Sequence, residues 1–194
     1  MRLFHFSDDP DIRRFVPRPV AVPSERGPGR EWLNGPLVWA ISEERQAMYL
    51  FPRDCPRILL WPTPQTSHED LAAWFGGRSW RTLAHIEWRW FERLRTGRLY
   101  RYELPAETFE DLDTAGMWVS REAVTPIAMQ VIDDLPAALA ALDVELRIMP
   151  TLAPLKDVWS TTLHASGIRL RNAAGWAEAG APTPRLLASP EPSG

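Results

Sequence analysis

Apolar positions along the chain fall in short runs, and each run is closed by proline, glycine or a polar turn. Leu3 to Phe6 is the first. Alternation places Leu3 and His5 on one face of a strand and Phe4 and Phe6 on the other. Ser7 to Pro10 turns the chain. Pro17, Pro19, Pro23, Pro28 and Pro36, interspersed with Gly27, Gly29 and Gly35, make 16–36 a long loop, and long loops in compact domains often act as lids. Leu37 to Ile41 is an uninterrupted apolar run and reads as a buried strand. Ser42 stands where its hydroxyl would cap a following helix. Glu43 and Glu44 fall in the first turn, where the helix dipole favours negative charge, and Pro52 ends the helix. Ile58 to Trp61 is another strand.

Downstream, Thr66 and Ser67 precede Glu69 and Asp70 as at a helix start, and Gly76-Gly77 stops that helix. Residues from Leu83 read as a strand to about Trp88, then as a helix to about Arg95. Leu99 to Leu104 is a strand, and Ala106 to Leu112 a short helix. Met117 to Ser120 and Pro126 to Ile132 are strands, and Asp133 or Asp134 caps a helix from about Leu135 to Leu142. Val144 to Met149 is a strand, Pro154 to His164 a helix, and Ile168 to Asn172 an extended segment in which Arg169 and Arg171 share a face. Many strands are separated by less chain than a parallel crossover needs. The expected fold class is therefore α+β, with a mixed, mostly antiparallel sheet and flanking helices. The globular domain spans 1–172. From Ala173 the chain is rich in Ala, Gly, Pro and Ser, so 173–194 is expected to be a disordered tail.

Composition narrows the picture. A chain of 194 residues makes one domain with appendages and can bury a core without staples. Its single cysteine excludes an internal disulfide framework and fits a reducing compartment. The N-terminus lacks an apolar signal segment, and no run approaches the length of a membrane span, so a cytoplasmic protein without membrane contact is expected. A net charge of −3 argues against bulk nucleic-acid binding. Ten tryptophans exceed ordinary packing needs; Trp61, Trp74, Trp80, Trp88 and Trp90 are either a core or an aromatic platform for a stacked ring.

The densest chemistry lies in Pro52-Arg-Asp-Cys-Pro-Arg57. Two guanidiniums around a stiff turn can hold phosphate or carboxylate, and Cys55 between them would be reactive if its thiolate were stabilised. Alternatively Asp54 pairs locally and Cys55 is a small buried apolar residue. His68, His85 and His164 have no metal-ligand spacing with one another or with His5, so no metal is expected.

The blocks Leu3-Phe-His-Phe-Ser7, Pro36 to Arg57, Leu99-Tyr-Arg-Tyr-Glu103 and Ser166 to Asn172 together resemble a family of uncharacterised bacterial proteins over most of residues 1–173. More remotely, the layout resembles the ADP-ribosyltransferase-like fold. That resemblance implies NAD as cofactor and a catalytic set of His5, Tyr49 and Glu122. His5 would bond a ribose of NAD, Tyr49 would stack on nicotinamide, and Glu122 would stabilise an oxocarbenium-like state. Arg18 and Arg53 are candidates for the pyrophosphate, because a planar guanidinium fork suits phosphate oxygens, and Arg57 and Ser7 complete the expected cofactor-binding set. Two rival readings stand beside this one. The first is a non-catalytic module whose arginines hold a small anionic ligand. The second is an interaction protein whose Trp- and Arg-rich surface meets a partner chain of unknown identity.

Overall fold

A computed structural model describes residues 1–76 and 82–177. Among the described residues, two sheets and three α-helices make an α+β fold in which antiparallel pairing predominates. The larger sheet contains β1 (Leu3–Ser7), β2 (Val38–Ser42), β5 (Leu99–Leu104), β6 (Glu110–Asp111), β7 (Met117–Ser120) and β8 (Ala128–Ile132), in the order β6-β7-β2-β1-β5-β8. The smaller contains β3 (Arg57–Trp61), β4 (Thr82–Glu87), β9 (Val144–Met149) and β10 (His164–Ile168), in the order β10-β3-β4-β9. Its β4–β9 pair is parallel. The helices are α1 (His68–Phe75), α2 (Trp88–Thr96) and α3 (Leu135–Ala141).

The strand patterns explain the layering. Every residue of β3 is buried, because Leu59 and Trp61 face the larger sheet's Phe4 and Ile41 while Ile58 and Leu60 face Phe75, Leu152 and Val158 on the other side. Such a strand reads as a continuous apolar run. β1 instead alternates: Phe4 and Phe6 turn inward between the sheets, and Leu3 joins Val38, Ala40 and Tyr102 on the outer face. Helices α2 and α3 close one side of the inner layer through Leu94, Leu135 and Leu139. Ser67 caps α1 by accepting from the Asp70 amide, and Gly76 ends it at φ 59°, a conformation glycine adopts without strain. The expected stop at Gly77, and Trp80, lie outside the described residues.

Several expectations need correction. Residues 106–112 form a turn and the short strand β6, because Phe109 is drawn into the outer-face core and Glu110 and Asp111 pair with β7. The helix expected over Pro154 to His164 is a 3-10 helix, Ala153–Ser160. It ends where the Ser160 and Thr161 hydroxyls donate back to the Asp157 and Val158 carbonyls, at 2.6 and 2.7 Å, and His164 begins a strand. The segment after Ser42 is also 3-10, Glu43–Tyr49, with no side-chain cap from Ser42. Arg169 has φ 56° and precedes a 3-10 turn, so Arg169 and Arg171 do not alternate along a strand. Residues 173–177 pack onto the domain: Ala173 is buried, the Ala174 amide donates to Glu87, and Trp176 meets Trp159 edge-on. The rest of the expected tail, 178–194, lies outside the described residues. No helix among the described residues is long and apolar enough to cross a membrane.

Candidate functional site

β1 separates two groups of the residues nominated from sequence. On its outer face, the His5 ring packs against Phe15 at 4.7 Å, and its Nδ1 lies 2.8 Å from the Trp39 carbonyl. A carbonyl only accepts, so Nδ1 carries the proton and a neutral ring presents Nε2 as an acceptor. Burial lowers the His5 pKa, the Trp39 bond opposes this, and the Arg18 and Arg53 charges lower it further. Neutral His5 is therefore the favoured form at neutral pH.

Those arginines come from two separate loops that meet the end of the larger sheet. Arg18 exchanges backbone hydrogen bonds with Leu37 at 3.3 and 3.1 Å, just before β2, and its side chain is exposed. Phe15 pairs in the same way with Val124, so the start of the long loop is fastened to the sheet on both sides. Arg53 reaches in from the proline-bounded turn and bonds Asp8 at 3.0 Å, with both side chains about half exposed. Ser7 is buried, and its hydroxyl accepts from the Asp9 amide at 3.1 Å. Tyr102 donates to the Asp9 carbonyl at 2.7 Å and accepts from the Ile12 amide at 3.2 Å. Ser7 and Tyr102 thus shape the turn that carries Asp8.

Tyr49 lies across the sheet. Its ring runs nearly parallel to Phe6 at 6.4 Å, and its hydroxyl meets the Met117 sulfur at 3.4 Å. Successive strand residues face opposite ways, so a Tyr49 that packs on Phe6 is on the wrong side of β1 to share a ligand ring with His5. Burial raises the Tyr49 pKa. Arg57 belongs to this inner group. It is 3% exposed, and its Nε and Nη1 donate to the Met48 and Cys55 carbonyls at 2.7 and 3.0 Å. Its guanidinium also lies 5.7 Å from the Tyr49 ring and 5.2 Å from that of Phe51. Burial brings its pKa down to about 10. With its bonds made inside the fold, Arg57 holds the turn.

Cys55 is fully buried, and burial raises its thiol to about 12, against the modest pull of Arg57. A thiol in that state is not a nucleophile at neutral pH, and the reading of Cys55 as a small apolar core residue is the one the structure supports. Arg169 donates from Nε to the Arg53 carbonyl at 3.3 Å, and Asn172 donates to the Asp54 carbonyl at 2.8 Å, so the chain after β10 braces the turn from behind.

Glu122 follows β7 at the end of the sheet where β1 also finishes, since both strands run antiparallel to β2, which lies between them. It is exposed, and its amide donates to the Ser120 hydroxyl at 3.1 Å. The seven side chains nominated from sequence divide: His5 and Ser7 lie on the outer face of β1, Tyr49 and Arg57 pack on the inner side, and Arg18, Arg53 and Glu122 stand at the end of the sheet where β1 finishes. Sequence reasoning missed Asp8, Phe15 and the Trp39 carbonyl. The acidic turn after the first strand was a signal for Asp8; no local signal marked the other two. Among the described residues, no three His, Cys, Asp or Glu side chains gather as metal ligands would.

The model of DUF6886, a family of unknown function, matches residues 4–173, and the chain belongs to that family. No curated protein and no solved structure matches the chain.

Proposed function

We propose that this member of DUF6886 binds a small phosphate-bearing ligand of nucleotide type at the His5 end of the larger sheet. One observation carries the reading: Arg18, paired with Leu37 just before β2, and Arg53, bonded to Asp8 just after β1, keep exposed guanidiniums at the same end of the sheet. Guanidinium forks match phosphate oxygens in a bidentate manner, and Arg53 uses only one edge of its fork on Asp8. The neutral His5 ring supplies an acceptor for a ligand hydroxyl, such as that of a ribose. Arginines for phosphate beside an acceptor for a sugar hydroxyl is the chemistry of a nucleotide site. The resemblance to the ADP-ribosyltransferase-like fold supports the same ligand class, with NAD its first candidate.

A second reading, glycosyl transfer from NAD, is favoured by the position of Glu122 at the same sheet end. It requires a nicotinamide contact other than Tyr49, since that ring is turned to the inner face.

A thermal-shift titration with NAD, ADP-ribose and inorganic phosphate tests the proposal. A ligand that binds only the folded chain stabilises it by about 2.7 kcal/mol at a hundredfold excess over its Kd. A larger shift with ADP-ribose or NAD than with phosphate, reduced in His5→Ala, is the expected result. Equal shifts with all three would reduce the site to a generic anion site, and no shift would refute it.

A further inference from the structure

The two edges of the larger sheet are built differently. One is β6, a two-residue strand of Glu110 and Asp111, whose charge and brevity discourage further pairing. The other is β8, which pairs with β5 on one side and stands at the end of the strand order on the other. From Pro126, two residues before it, to its end at Ile132 the chain carries no charged residue. Ile127, Met129 and Val131, on one face of it, are 65%, 45% and 45% exposed. On the opposite face Ala128 and Gln130 are also exposed. A groove of about 340 Å³ runs beside them, lined by Leu50, Arg101, Gln130, Ile132 and Leu142 among others, and Leu142 is itself 39% exposed. Asp133 and Asp134 line that groove with Arg101, but the strand itself carries no charge, and an uncharged edge strand is a template for another strand.

We propose that the occupant is the β8 strand of a second copy of this chain, paired antiparallel about Gln130 to join the two larger sheets. The order of residues selects this partner. Met129-Gln130-Val131 has the same polarity read in either direction from its centre. A two-fold axis through Gln130 therefore sets Met129 against the partner copy's Val131, amide against amide, and Ala128 against Ile132. Apolar meets apolar on one face, and small meets large on the other. Charge fixes the direction. Asp133 and Asp134 follow β8 directly. Antiparallel pairing carries each copy's aspartates to the far end, beside Ile127 and Pro126, whereas parallel pairing would stack four carboxylates together. The His5 site is separated from this edge by β5, so dimer formation leaves it open.

Sedimentation of the full chain across a micromolar range tests the inference. The expected mass is twice the 22.1 kDa of one chain. Val131→Lys, an exposed substitution, is expected to give the single-chain mass with the same folded circular-dichroism spectrum and a midpoint that no longer depends on protein concentration; Met129→Lys serves if Val131→Lys folds poorly. Register is read separately by oxidation. Gln130→Cys places its own copy directly opposite, within disulfide reach, and buried Cys55 does not compete. Gln130→Cys should cross-link between chains, and Ile127→Cys, opposite Asp133, should not. A wild type that stays monomeric, whatever peptide its edge accepts, overturns the proposal. So does a dimer that Val131→Lys leaves intact, or one cross-linked better by Ile127→Cys.

Discussion

Arg53 and Arg57 leave the same proline-bounded turn and end in opposite surroundings. Arg53 stays half exposed and bonds Asp8 just after β1. Arg57 is driven inward, where two carbonyls and two aromatic rings replace water. One guanidinium stays open to solvent, and the other has become part of the frame beneath it. The contrast shows why residue type and spacing identify an arginine cluster but not its use. The deciding factor is which side of β1 each side chain reaches, and packing at the level of whole sheets sets that.

Substitutions at the turn test this division, and the largest effect is expected inside. Arg57→Ala removes two buried hydrogen bonds, leaves the Met48 and Cys55 carbonyls without those donors, and opens a void. Relief of the guanidinium's desolvation offsets part of that. A net loss of about 3–4 kcal/mol in chemical denaturation is expected. Arg57→Met, which keeps most of the volume, should lose less. If Arg57→Ala costs no more than a surface substitution, Arg57 does not hold the frame.

The histidines divide in the same way. His85 is 2% exposed, beside Trp74 and Arg147, and burial followed by the Arg147 charge lowers its pKa to about 4. His164, stacked on Trp61, is lowered to about 4 by burial and Arg45. Both are favoured neutral in the folded state, so the unfolded chain binds more protons between pH 6.5 and 4. Their stabilisation is fully present above pH 6.5 and falls away as pH drops towards 4, with His85 alone accounting for on the order of 3 kcal/mol. Denaturation midpoints measured across that window should fall with pH, and His85→Gln should flatten the slope. A slope that His85→Gln leaves unchanged would place the titration elsewhere.

At the exposed end of the turn the stability effects are small. Arg53→Ala and Asp8→Ala should each shift the unfolding free energy by less than about 1 kcal/mol, as exposed ion pairs do. They should differ in binding: loss of Arg53 weakens the phosphate-bearing ligand, while loss of Asp8 frees the guanidinium and does not weaken it. Cys55 should show the smallest effect. A thiol reagent should leave it unmodified in the native protein and label it only on unfolding, and labelling under native conditions would contradict its burial.

Much of this fold was legible along the chain. Strand β1, with its faces assigned, the start of α1 at Ser67, the start of α3 after Asp133 or Asp134 and the end of α2 near Arg95 all follow from local patterns. The misread segments are those where distant contacts override local preference. Residues 106–112 look helical until Phe109 finds the outer core, and the helix after Pro154 stops early because hydroxyls compete for its carbonyls. The site was legible in part for the same reason. Arg18 and Arg53 could be chosen by guanidinium chemistry and His5 by resemblance, and the assignment of Tyr49 to the same ligand as His5 fails on the alternation of β1, since Tyr49 packs on Phe6. Asp8 lay in plain view in the polar turn. Phe15 and the Trp39 carbonyl are brought to His5 by pairings that no short stretch encodes.

Calorimetric titration of ADP-ribose into wild type, Arg53→Ala and Tyr49→Phe tests the central claim most directly. The account predicts a Kd weakened tenfold or more in Arg53→Ala, the loss of one charge-assisted contact of about 1.4 kcal/mol or more, and a Kd unchanged in Tyr49→Phe. Binding lost in Tyr49→Phe and kept in Arg53→Ala would contradict it and move the site to the inner face.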